Sequence, residues 1–124
     1  KKKSIINLDI KKRKFVINTF FEGCARFNFK DLCDVNLGAE DYIAIADKCD
    51  FITLDNIPNF TNETVNQQLR FITLIDILYE KKIPMLVSSD FNLDNFNSSK
   101  KLTEPYNRTI SRLYELTSPN FDKN

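Results

Sequence analysis

Alternating, continuous and helically spaced apolar positions follow one another along this chain, and their order predicts an α/β fold. Ser4 to Ile10 alternates loosely and reads as a strand. Phe15 to Phe21 is apolar and β-branched and reads as a second, with Lys11 to Lys14 as the turn of a β-hairpin. Cys24 to Phe29 alternates again, Arg26 and Asn28 punctuating Cys24, Phe27 and Phe29, and predicts a short third strand. Phe29 to Cys33 then fits a single helical turn. From Gly38 to Cys49 the period changes. Tyr42, Ile45, Ala46 and Cys49 recur at i, i+3, i+4 and i+7, with Glu40 and Asp41 in the first turn, where acids suit the positive end of the helix dipole.

Phe51 to Leu54 is a short continuous apolar run ending at Asp55 and stopped by Pro58, the pattern of a buried strand. Asn62-Glu-Thr64 offers a cap for a long helix reaching about Lys81. Leu69, Ile72, Ile75 and Tyr79 mark one face of that helix, and Phe71, Leu74 and Leu78 widen it. So broad an apolar arc implies burial on more than one side. Ile83 to Val87 predicts another strand, closing with Ser88, Ser89 and Asp90. Strand, long helix, strand is a βαβ unit, so these two strands are expected to be parallel and joined by a right-handed crossover. Phe91 to Lys101, rich in Asn, Ser and Lys around a lone Phe96, is expected to be a mobile loop. Pro105 opens a last helix over about Tyr106 to Thr117, with Tyr106, Ile110, Leu113 and Tyr114 facing inward, and residues 119–124 form a polar tail. The expectation is a single domain over residues 1–124.

Composition removes several chemistries. The sequence contains no histidine, which excludes Ser-His and Cys-His nucleophile pairs and any His-based metal site. Its two glycines, Gly23 and Gly38, stand too far apart for a phosphate-cradling loop, which needs a glycine-rich run followed by Lys and Ser or Thr. Cys24, Cys33 and Cys49 are odd in number and form no C-x-x-C pair, which points away from a disulfide framework or zinc knuckle and toward reduced, partly buried thiols. A net charge of +1 provides no global field for nucleic acid, and Lys11 to Lys14 reads as a solvated turn rather than a nucleic-acid patch. No apolar run approaches the roughly 20 residues of a membrane-spanning helix.

Chemistry has two candidate locations. Ligands gather at the carboxyl ends of parallel strands. In P-loop ATPases an acid at one strand end serves magnesium, and a polar residue on the next reads the γ-phosphate. Asp55 and Ser88 hold those positions, although Asn56 stands where a second acid would be usual. The plain alternative is that Asp55 bonds a nearby backbone N–H. The second location is the last helix. Arg108 and Arg112, four apart, project from one face opposite Ile110 and Leu113, where paired guanidinium groups suit a phosphate or carboxylate. The plain alternative there is a solvated face with Arg112 paired to Glu115. Arg70 and Asp76 on the long helix read as an ordinary salt-bridge or surface pair of residues, and Asp31, Asp34, Glu40 and Asp41 cluster without a transition-metal ligand set.

Four phrases carry more than pattern: Ala25-Arg-Phe-Asn-Phe-Lys-Asp-Leu-Cys33, Leu37-Gly-Ala-Glu-Asp-Tyr-Ile-Ala-Ile-Ala46, Arg70-Phe-Ile-Thr-Leu-Ile-Asp-Ile-Leu-Tyr79 and Arg108-Thr-Ile-Ser-Arg-Leu113. In this order and spacing the chain, over roughly residues 15 to 118, resembles the C-terminal third of the ZapE-type cell-division ATPases, a family that includes the mitochondrial AFG-one-like ATPases. The family-like positions include Phe27, Phe29, Leu32, Cys33, Leu37, Gly38, Asp41, Tyr42, Ile57, Pro58, Arg70, Phe71, Asp76, Tyr79, Ser88, Arg108, Ser111, Arg112, Leu113 and Glu115. The sequence departs from the family where Leu69 replaces the first of two paired arginines, where Ser89-Asp90 replaces a small-residue pair, and where Leu116-Thr117 stands in the usual Glu-Met-Gln-Ser ending.

The resemblance implies an AAA-related P-loop ATPase in which this chain is the C-terminal portion, packed against an upstream nucleotide-binding core that it does not itself contain. It implies ATP and Mg for the complete protein and none for the chain alone. It implies an ATP-dependent remodelling role, with Arg108 and Arg112 as an arginine finger or sensor, and Asp55 and Ser88 as weaker nucleotide-site candidates. Bacterial members act in the cytoplasm at the septum with the tubulin-like division protein. Mitochondrial members act in quality control of inner-membrane respiratory proteins, and a homo-oligomer is open in either setting. The alternative expectation is a free-standing protein-interaction domain without catalysis.

Overall fold

A computed structural model describes residues 4–10, 13–89, 97–119 and 121. Lys11 and Lys12 of the expected turn, residues 90–96 of the expected loop with Phe96, and most of the polar tail lie outside the described residues. The elements run β1 (Ser4–Ile10), β2 (Arg13–Phe21), β3 (Cys24–Asn28), α1 (Phe29–Cys33), α2 (Ala39–Ala46), β4 (Phe51–Asp55), α3 (Val65–Glu80), β5 (Met85–Val87), a 3-10 turn (Lys100–Leu102) and α4 (Thr103–Leu116). This is the α/β architecture that the pattern predicts: an N-terminal hairpin and short third strand, then a βαβ unit with flanking helices.

The five strands form one sheet in sequence order. β1 to β3 are antiparallel. β3, β4 and β5 are parallel, so β4–α3–β5 is the expected crossover unit. The hairpin pairing reaches Ile10 opposite Arg13, which puts Arg13 and Lys14 inside β2 rather than in the turn. Between β2 and β3 the chain reverses at Glu22-Gly23, both at positive φ (48° and 85°). Two such residues match the right-handed twist of the flanking strands. Gly23 is also required by space: a Cβ there would stand 2.4 Å from a carboxylate oxygen of Asp50.

Local chemistry sets the helix limits. Asn28 ends β3 and starts α1, its side chain accepting the Lys30 N–H at 3.2 Å. Asp41, buried in the first turn of α2, reaches back to the Gly38 N–H at 2.8 Å. Tyr42, Ile45 and Ala46 of α2 and Cys49 just beyond it are all buried, as their spacing predicts. On α3 the buried arc matches the expected one except at Leu69 and Tyr79, with Gln68 buried in addition. Gln68, Phe71, Ile72, Leu74, Ile75 and Leu78 are buried, while Leu69 is exposed. On α4, Tyr106 and Leu113 face inward with Thr109 and Leu116, but Tyr114 is exposed.

Four rings centre the core. Phe60 lies 5.6 Å from Phe29, 5.8 Å from Phe71 and 5.6 Å from Tyr106 between centroids. They join α1, the segment after β4, α3 and α4 in tilted and edge-on contacts. The segment expected to be a mobile loop ends in order. Asn97 donates its N–H to Asn59 and accepts from the Phe60 N–H, and the Lys100 N–H is held by Asn62. Asn62, expected to help cap α3, serves this later segment instead.

Candidate functional site

The carboxyl ends of β4 and β5 are locked together by backbone and side chain. Ser88 donates its N–H to the Leu54 carbonyl, and its own carbonyl accepts from Ile57, each at 3.0 Å. The chain between, at Asn56, turns through positive φ (63°). Asn is among the few non-glycine residues that accept this conformation readily. The turn brings the Asn56 N–H to the Ser88 hydroxyl at 3.2 Å, and that hydroxyl donates to Asp55 Oδ1 at 2.8 Å. Arg26 Nε donates to Asp55 Oδ2 at 2.6 Å from the neighbouring strand. Asp55 is thus held by side chains, not by the backbone N–H of the simpler expectation. Its bonds to Arg26 and Ser88 favour the ionised form and hold its carboxyl below the usual carboxylate range.

The structure therefore brings Asp55 and Ser88 together, as their strand-end positions predict. Arg26 is the member that the sequence reading missed. Nothing local marks it. It reaches Asp55 because β3 and β4 pair in parallel with Asn28 level with Asp55, so Arg26 lies one row back on the same face. Beside this corner is a cavity of about 410 Å³, lined by Asn28, Lys30, Asp34, Asn56, Pro58 and Gln67 among others.

The two arginines of α4 have separate fates. Arg112 donates to Asp76 of α3 at 2.5 Å, and its guanidinium carbon lies 4.9 Å from the centre of the Tyr79 ring. The Tyr79 hydroxyl bonds both carboxylate oxygens of Glu115, at 3.0 and 3.1 Å, which raises the Tyr79 pKa. The expected Arg112–Glu115 pair within α4 is replaced by two contacts between helices. Arg108 is exposed and makes no ion pair among the described residues. The joint clamp expected of the two arginines would require Arg112 to leave Asp76. Arg70 donates instead to the Cys33 carbonyl at 3.3 Å, tying α3 to the end of α1.

As holders of ATP and magnesium these residues lack free ligands. Both Asp55 oxygens are engaged by Arg26 and Ser88. Among the described residues no group of Asp, Glu and Cys is placed to hold a metal ion. The sequence carries no glycine-rich loop to surround phosphates. The described residues, as placed, do not fit a magnesium-nucleotide site.

Comparison with known proteins decides the family. The chain matches the AFG1-like ATPase family over residues 1–124. It belongs to that family. It is 30% identical over 109 residues to Lactation elevated protein 1 homolog B of Danio rerio, covering 88% of this chain and 22% of that protein. It is 29% identical over 96 residues to Cell division protein ZapE of Escherichia coli K12, covering 77% of this chain and 26% of that protein. An uncharacterized Schizosaccharomyces pombe protein is 31% identical over 78 residues, or 63% of this chain and 17% of its own length. The chain thus spans about a quarter or less of the curated relatives that it matches. No solved structure matches it. Among the described residues no helix of this AFG1-like ATPase family member is long and apolar enough to cross a membrane.

Proposed function

We propose that this chain is the C-terminal portion of a ZapE/AFG-one-like ATPase, supporting ATP-dependent protein remodelling without hydrolysing ATP by itself. Nucleotide and magnesium are held by a P-loop core elsewhere in the complete protein. This portion contributes a cation, Arg108, toward the transferred phosphate. Arg112 is its mount: the bond to Asp76 and the stack on Tyr79 fix α4 against α3. The observation that carries this reading is the division of labour on one helix face, with one guanidinium spent on packing and one exposed four residues away. A guanidinium aimed at a phosphoryl group neutralises the charge that develops in transfer. The Asp55–Ser88 corner is the second, weaker candidate for contact with nucleotide. Cell division is the setting that the Escherichia coli relative's name supports, and with it go a bacterial cytoplasm and the tubulin-like division protein as proposed location and partner. Quality control at the mitochondrial inner membrane is the other setting.

The test is turnover of the complete ATPase with Arg108→Ala or Arg112→Ala. An arginine finger is worth about a thousandfold or more in turnover. Arg108→Ala is expected to approach that loss with normal thermal stability, and unchanged turnover rejects the role. The competing reading is a free-standing interaction domain. An upstream open frame encoding a glycine-rich Lys-Thr loop supports the ATPase, whereas a start codon directly before this segment supports the domain.

A further inference from the structure

The parallel half of the sheet is covered on one side. Ala25 and Phe27 of β3, Ile52 and Leu54 of β4, and Met85 of β5 are buried. The register sets Cys24 level with Phe51, and Arg26, Thr53 and Leu86 in one row, on the opposite face. Cys24 is exposed, and Leu86 is 60% exposed. α2 and α3 pack against one another, so they share a side. All-parallel sheets occur almost only with both faces covered, and the parallel half of this mixed sheet has one face open. The run Phe51-Ile-Thr-Leu-Asp55, with apolar residues on both faces, has the composition of such a doubly covered strand.

We infer that the outer face of β3, β4 and β5 is the docking surface for the nucleotide-binding portion of an AFG1-like ATPase, which covers it as a second layer. This rests on the reading under Proposed function and adds the surface to it. Two observations choose the occupant. The matched part is 22% and 26% of two of the relatives' lengths, so most of each relative lies outside it. The face carries apolar Leu86 and Phe51 beside a charge pair, Arg26–Asp55, already neutralised within this chain. A charge pair satisfied within the chain can be covered without the covering layer supplying a partner group, and a second copy is the competing occupant that sedimentation of the chain tests.

Cys24 lies on this face and reports its coverage, because Cys33 and Cys49 are buried. The experiment measures iodoacetamide labelling of Cys24 by mass spectrometry, in the 124-residue chain and in the complete polypeptide that carries it. Sedimentation velocity of the chain runs alongside. The chain alone is expected to be monomeric and to label freely. In the complete polypeptide labelling is expected to slow by about tenfold or more, a cover open less than about a tenth of the time. Leu86→Lys, harmless to folding of the isolated chain because the side chain is exposed there, is expected to restore labelling in the complete polypeptide.

Equal labelling in both forms overturns the inference. So does protection that persists with Leu86→Lys, or a chain that sediments as a dimer with Cys24 already protected. ATP turnover separates the two readings. A complete polypeptide that hydrolyses ATP yet leaves Cys24 open defeats the docking surface alone. One that protects Cys24 but hydrolyses nothing defeats the proposed function alone.

Discussion

Gln68 is fully buried in α3, and its amide is tolerated there because each end is used. Its Nε2 donates to the Ser98 hydroxyl at 2.6 Å, and its Oε1 accepts from the Ser99 N–H at 3.1 Å and the Ser99 hydroxyl at 2.6 Å. Ser99 is buried with it. Gln68→Ala would strand both Ser99 donors, and a buried unsatisfied group costs about 1–3 kcal/mol. The expected result is a lower urea midpoint with an unchanged slope. The helical pattern held a trace of this: Gln68, Phe71, Ile72 and Ile75 follow i, i+3, i+4 and i+7, with a polar residue in an apolar place. The expected face placed Leu69 inward where the structure buries Gln68, because a polar side chain enters a core only when later residues such as Ser98 and Ser99 satisfy it. Asp55 is partly buried and has a pH signature. Its folded pKa is depressed by Arg26 and Ser88. The stability that this provides is complete above the unfolded carboxyl value of about 3.9 and is lost as pH falls through the lower folded value. Asp55→Asn is expected to flatten that part of the acid limb of a stability–pH curve, with an unaltered limb arguing against the contribution.

At the scale of elements, the spans of α2, α3 and α4 were legible because apolar recurrence is a local property of the chain. How α3 and α4 choose partners across their interface was not. Glu115 lies three residues beyond Arg112, near enough for a pair within the helix, yet it bonds Tyr79, and Arg112 bonds Asp76. The partly buried site favours the interhelical arrangement, in which one guanidinium meets a carboxylate and an aromatic face together. A half-exposed ion pair is worth about 0.2–1 kcal/mol and a surface cation–π contact about 0.5–1 kcal/mol. Arg112→Ala is therefore expected to destabilise the fold by about 1 kcal/mol. A double-mutant cycle with Asp76→Ala should show a coupling inside the ion-pair range. Zero coupling would mean that the contact is geometric only, and would remove the mount assigned to Arg112 in positioning α4. Arg108, exposed on the next turn, should be neutral for stability within about 0.5 kcal/mol.

Over the whole molecule, the alternation in β3 and the continuous apolar run in β4 read as different kinds of strand, yet both alternate between buried and more open residues because one face of each is covered. Pairing between strands far apart in sequence, which places Arg26 on Asp55, lay beyond a local reading because it depends on register. The same sheet ends its parallel strands at a neutralised acid and a hydroxyl, and among the described residues no loop of backbone N–H groups surrounds a triphosphate there. That geometry gives a sharp expectation for the chain on its own. A ligand at about a hundred times its Kd stabilises its receptor by about 2.7 kcal/mol. In a domain of this size that raises Tm by roughly 10 °C, at about 4 °C for each kcal/mol. Millimolar ATP with magnesium is expected to leave the melting curve of the 124-residue chain in place and to release no phosphate over time. A saturable rise in Tm would locate a nucleotide site within these strands and helices, and the Asp55–Ser88 corner with its adjoining cavity would be the place to map it, through Ser88→Ala. A flat response, alongside turnover in the complete polypeptide, assigns this portion to shaping and docking and leaves phosphate binding to the core that it faces.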